Sequence, residues 1–172
     1  MRVRGEVESG GVHLVMAEIT APDESVEPIY KRTDLLYPHF ADYVNSIITS
    51  LNAFYETPRW VIQETYRTPE RHKRLHTSRF KLLRPSISMQ HTLGLACDIA
   101  FVPKGEDRPR WESDVDWERL GHEARKRALL WYGDFPARGR VCPHIEWPTS
   151  DLQTAEAARR FIESMRRIRG IK

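Results

Sequence analysis

The chain has 172 residues, 40% of them hydrophobic and 30% charged, and a formal net charge of +3. That size and balance predict one globular domain with its own core, and they leave no apolar run of about 18 residues to cross a membrane. The mild basic excess suits contact with an anionic polymer such as nucleic acid or a bacterial cell wall, while two cysteines, Cys97 and Cys142, make neither a disulfide framework nor a CxxC metal motif.

At the N-terminus, MRVRGEVESGG has no apolar stretch after its arginines, so no secretory signal is expected and the chain is expected to be cytoplasmic as synthesised. It would act elsewhere only if released by lysis or carried in a larger assembly. Residues 2 to 20 alternate about Gly10 and Gly11 and predict a hairpin. A loop with Pro22 and Pro28 as breakers follows. From about Tyr43 to Tyr55, the apolar residues Val44, Ile47, Ile48, Leu51 and Phe54 recur at helical spacing.

WVIQETYR predicts a short strand, and Thr68-Pro69-Glu70 the start of a helix, with proline at its first position. A strand completed by Ile99 to Val102 ends at the PKGEDRP loop. DWERLGHEARKRALLWYG is expected to form one amphipathic helix ending at Gly133. CPHIEW is another short strand, and a terminal helix follows, capped by Ser150 or Asp151. Helices alternating with short, locally paired strands predict an α+β fold, a small antiparallel sheet with flanking helices.

Within this pattern SMQHTLGLACDIAF places His91 and Asp98 seven residues apart, separated mostly by small or apolar residues. Burying an unpaired polar group costs roughly 2–7 kcal/mol, and a charge costs more, so something must compensate both side chains. A second histidine, His144, lies in GRVCPHIEW two residues before Glu146. A lone histidine in an apolar strand is ordinarily a satisfied core or surface residue. Two histidines and a carboxylate from separate segments, with a fourth position open, form a known catalytic zinc arrangement.

On these residues the chain resembles the zinc peptidases that include D-alanyl-D-alanine carboxypeptidases and dipeptidases and the phage L-alanyl-D-glutamate endolysins. The hedgehog signalling domain shares their fold. The family's first motif is matched by His91, Gly94, Ala96 and Asp98, and its second by Pro143, His144, Ile145 and Glu146. An aromatic-Arg-Ser/Thr turn before a helix is matched by TYRTPERHKRLH with Arg67, and WYGDF looks like the family's Trp-Gly-Gly-Asp-Trp stretch. The resemblance covers about residues 34 to 148 of a single domain. Residues 1–33 are then an N-terminal hairpin extension and 149–172 a C-terminal helix, both additions, with the hairpin a possible dock for an assembly.

The resemblance implies that His91, Asp98 and His144 bind Zn2+ on the sheet, satisfying the buried groups together. It implies that Arg67 holds the substrate's carboxylate or the developing oxyanion, and that the substrate is a peptidoglycan stem peptide. The chain departs from the family at Val141, where an Asp or Glu ordinarily serves as catalytic acid/base three residues before the second histidine. Three readings follow. Another carboxylate substitutes, from Glu146, Asp134 and Glu64; of these Glu146 shares strand parity with His144, although a Glu there more often supports the site. Alternatively, the protein is an inactive zinc-binding structural or wall-binding module. In the third, Cys142 acts near the metal in place of the lost carboxylate. A smaller departure puts Met89 where the family has Ser.

Other features point elsewhere with less force. HEARK ends in Lys126 and so is no HExxH motif; His72 and His76 stand four apart and are more simply surface residues. The tryptophans are most simply core, with Trp147 a candidate cleft wall. Nucleic-acid binding through the arginines of RRFIESMRRIRGIK is not favoured, since such a run is usually a solvated helix face.

Overall fold

The computed structural model describes residues 28–55, 59–77, 89–110, 115–135, 143–148 and 152–171. The expected N-terminal hairpin, the proposed caps Ser150 and Asp151, Val141 and Cys142 lie outside them. Among the described residues are four α-helices, α1 (Pro38–Asn52), α2 (Pro69–Thr77), α3 (Trp117–Arg125) and α4 (Leu152–Arg169). Four strands, β1 (Trp60–Glu64), β2 (Ala96–Phe101), β3 (Leu130–Trp131) and β4 (His144–Glu146), form one antiparallel sheet in the order β1-β2-β4-β3. The expected α+β class, with a small antiparallel sheet, is what the chain adopts.

One face of the sheet carries the core. Phe40, Val44, Ile47 and Leu51 form the buried stripe of α1, and Trp117, Leu120 and Ala124 that of α3. Both stripes pack against Trp60, Cys97, Ile99, Trp131 and Ile145. Helix α1 begins five residues before the periodic stretch suggested, because Pro38 at its first turn needs no backbone hydrogen-bond acceptor. Phe54, assigned to that stripe from the sequence, lies beyond the helix and is 80% exposed. Asn52 turns the chain from α1 into β1: its Oδ1 accepts from the backbone N–H of Arg59 and Trp60, and its Nδ2 donates to the Trp60 carbonyl.

The single long helix expected to end at Gly133 is instead a helix, a turn and a strand. Ala128 takes a left-handed conformation with φ 54°, Ala128 N–H bonds to the Arg125 carbonyl and Leu129 N–H to the Ala124 carbonyl. This is a Schellman stop with alanine where glycine is usual, which is why the composition concealed it. Trp131 can then enter the sheet opposite Ile145.

Two further local features set up the other face. β1 and β2 are in regular register from Trp60↔Phe101 to Ile62↔Ile99, but the next pair is Glu64↔Asp98, which leaves Gln63 as an extra residue. This bulge switches Glu64 to the face of Asp98, away from the core face of Ile62. Gly94 adopts φ 65°, and a Cβ there would lie 2.6 Å from the Leu35 carbonyl oxygen and 2.9 Å from Ile162 Cδ1. Only glycine fits both the angle and the space, and the turn delivers His91 beside β2.

Candidate metal centre

Cross-strand pairing brings the sequence motifs together. Asp98 lies directly opposite His144 in the β2–β4 ladder, and Ala96 opposite Glu146. Alternation therefore puts Asp98, His144 and Glu146 on one face and Cys97 and Ile145 on the other, in the core. His91 arrives from the 3-10 turn Met89–Leu93. Candidate ligand atoms of His91, Asp98 and His144 all lie within 4.8 Å of one another.

The orientation of His91 follows from its partners. Its Nδ1 lies 2.7 Å from the Thr65 carbonyl oxygen, which can only accept, so Nδ1 carries a proton and Nε2 is the nitrogen turned to the cluster. Nε2 is buried, makes no hydrogen bond and sits 3.4 Å from Asp98 Oδ1. His144 Nδ1 lies 2.8 Å from the same Oδ1, and its Nε2 lies 3.1 Å from Glu146 Oε2. Ligand atoms around a tetrahedral zinc, bonded at about 2.0–2.1 Å, stand roughly 3.3 Å apart. The observed separations of 3.4 and 2.8 Å fall on either side of that value. A buried ring nitrogen without a hydrogen bond, next to a carboxylate and a second imidazole, fits a cation.

Charge balance around the cluster is tight. Burial pushes the Asp98 carboxyl up, but the facing His91 and His144 outweigh it and hold the group well below the usual carboxylate range. Burial likewise opposes a charged His144, yet its hydrogen bonds to Asp98 and Glu146 prevail and raise it above the ordinary imidazole value. Without a metal, its hydrogen bonds to two carboxylates thus favour the charged form of His144.

Arg67 is buried behind the cluster. One of its terminal nitrogens lies 2.6 Å from Glu64 Oε2 and 3.8 Å from Asp98 Oδ2, and its backbone N–H bonds to the His91 carbonyl. Arg71 Nε holds the other Glu64 oxygen at 2.8 Å. Glu64 is burdened by burial, but Arg67 more than compensates and lowers its pKa. It is committed to an ion pair and is a poor base.

Asp134 is bound to Arg125 at the surface, 2.7 Å away. Of the three carboxylates considered as substitutes, Glu146 is the one whose side chain lies within hydrogen-bonding distance of a candidate ligand, His144. Trp147 does not wall this face: it stacks on Tyr43 at 5.7 Å and meets Phe40 edge-on, on the α1 side. Thr65, Arg71 and Tyr132, whose ring centroid is 4.3 Å from that of His144, were not anticipated. Thr65 acts through its backbone, which no side-chain pattern reports.

No family model matches the chain, and no curated protein matches its sequence. Among solved structures, it is similar to the Serratia marcescens L-Ala D-Glu endopeptidase ChiX, with a TM-score of 0.50 over 74% of this chain and 96% of that one. The two are 15% identical in sequence, so the likeness is one of fold. A His-Asp-His group able to hold a metal therefore lies at the sheet of a fold shared with an L-Ala D-Glu endopeptidase.

Proposed function

We propose that the protein is a zinc-dependent peptidase acting on peptidoglycan stem peptides, reaching the wall after release or as part of a particle. The observation that carries this reading is the buried, unsatisfied Nε2 of His91 beside Asp98 Oδ1 and His144 Nδ1. A fold shared with an L-Ala D-Glu endopeptidase supports the choice of substrate class.

Zinc at this centre would supply a Lewis acid for a peptide carbonyl and an activated water. The chain's own groups prepare the site. The Thr65 carbonyl holds a proton at His91 Nδ1, and Glu146 holds one at His144 Nε2, so each ring offers its other nitrogen to the metal. We assign Glu146 this positioning role ahead of acid/base work. The histidine side chains are fully buried and that of Asp98 is 14% exposed, so the approach to the centre is past Asp98. Arg67 is buried and held by Glu64 beside Asp98, so we assign it to fixing these two carboxylates ahead of binding the substrate's carboxylate or the developing oxyanion.

With valine at 141, the chain lacks a group commonly worth roughly 10²–10⁴-fold in rate. Wild-type protein carrying close to one zinc is expected to release peptides from purified wall slowly. His91→Ala is expected to lose both metal and release, and Val141→Asp to accelerate release by about 10² or more. If zinc is bound and neither wild type nor Val141→Asp releases anything, the peptidase reading falls. The same valine then favours the second reading, a zinc-stabilised wall-binding or structural module.

A further inference from the structure

Tyr132 is buried, and its ring meets that of His144 edge to face, 4.3 Å between centroids at 70°. We propose that Tyr132 is a positioning residue that fixes the plane of His144, so that the affinity of the centre for metal is set in part from the α3–β3 edge of the sheet. This rests on the reading of His91, Asp98 and His144 as metal ligands.

The argument begins with what holds the imidazole. In the metal-free protein, hydrogen bonds at Nδ1 to Asp98 and at Nε2 to Glu146 keep the ring in place. A metal takes the Nδ1 lone pair, and the hydrogen bond to Asp98 then no longer exists. What remains is the one hydrogen bond to Glu146, and rotation of an imidazole about its Cβ–Cγ bond lies in a broad, shallow well. A flat, immobile wall against the ring narrows that well without using either nitrogen.

The wall is itself locked. Trp131, the residue before Tyr132, is buried against two glycines. A Cβ on Gly121 of α3 would collide with Trp131 Cε3, and one on Gly133 with Trp131 Cζ2. Arg125 covers the same indole with its guanidinium 5.3 Å from the ring. On the other side, Phe135 N–H bonds to the Tyr132 carbonyl, and the Phe135 ring meets that of Tyr132 at 6.0 Å. The backbone at 132 is thus pinned between an indole wedged onto α3 and the turn that follows it. A ring there meets His144 with little freedom to yield.

The test measures zinc affinity by competition with a chromophoric chelator and, in parallel, the visible absorption of the cobalt-substituted protein. Tyr132→Phe keeps the ring and is expected to bind within about two-fold of wild type with an unchanged cobalt spectrum. Tyr132→Ala is expected to weaken zinc about ten-fold or more, as loss of groups that orient metal ligands commonly does, and to shift the cobalt bands. Tyr132→Leu, which keeps buried bulk without a flat ring, is expected to weaken zinc likewise and serves if the alanine variant does not fold. Wild-type affinity and spectrum in the leucine and alanine variants would overturn the proposal, as would a phenylalanine variant as weak as alanine. Failure of the wild type itself to bind zinc or cobalt would instead overturn the metal-centre reading.

Discussion

His144 has both ring nitrogens engaged by carboxylates, and this makes the metal-free site sensitive to pH in a definite direction. Its pKa is raised on folding, so its contribution to stability is complete below the ordinary imidazole value and is lost as pH rises through the folded value. The pKa of Asp98 is depressed, so its contribution is complete above the ordinary carboxylate value and is lost as pH falls through the folded one. The two overlap between roughly pH 4 and 6.5. Thermal melts of metal-free protein across pH are expected to show the contribution of this pair at its largest there. Zinc competes with the proton on His144, so added zinc is expected to stabilise more at pH 8 than at pH 6. A zinc-induced shift in melting temperature that is flat or falls with pH would contradict the assignment of His144 as a ligand.

At the scale of the elements, stops and irregularities decide more than the regular spans do. The end of α3 depends on Ala128 at φ 54°, a conformation that costs a residue with a Cβ roughly 1–2 kcal/mol. Ala128→Gly is therefore expected to stabilise the protein by about 1 kcal/mol, raising the midpoint of thermal unfolding by roughly 2–4 °C. A lower midpoint would mean that this turn is not what stops the helix. The bulge at Gln63 is the second such feature. In a regular strand, residues 62 and 64 share a face, which would send Glu64 into the core beside Ile99. The extra residue instead brings Glu64 out under Arg67 and Arg71. Nothing in WVIQETYR announces the bulge, because a bulge belongs to a pair of strands.

For the whole molecule, the three proposed ligands tie together segments far apart in the chain. His91 lies in the turn before β2, Asp98 in β2 and His144 in β4. A metal held by all three binds the folded chain and not the unfolded one, so it stabilises by mass action. At about 100 times the dissociation constant the gain is about 2.7 kcal/mol, or roughly 5–10 °C in a domain of this size. Removing metal with a chelator is expected to lower the melting temperature by that order, with recovery when zinc is restored and none in His91→Ala. Identical melting with and without chelator would leave the three side chains as a purely protein network.

The sequence by itself determined the α+β class and the positions of β1, β2, β4 and α2, and through a family resemblance it singled out the three residues that can hold a metal. Those features are local or nearly so: apolar period, Thr68-Pro69 at a helix start, and a histidine and aspartate spaced seven apart across Gly94. It could not determine which way Glu64 points, that α3 stops before Trp131, or that Thr65 and Tyr132 flank the histidines. Each of these depends on groups brought together by strand pairing and helix packing. The clearest case is Glu146. Its parity with His144 was legible in PHIEW, but the 3.1 Å contact that makes it a holder of the imidazole proton exists only because His144 is drawn to Asp98 across the β2–β4 ladder. Local patterns record which residues can serve a site; the register of the sheet decides what each one touches, because hydrogen bonds and charge pairs act only over the few ångströms that tertiary pairing sets.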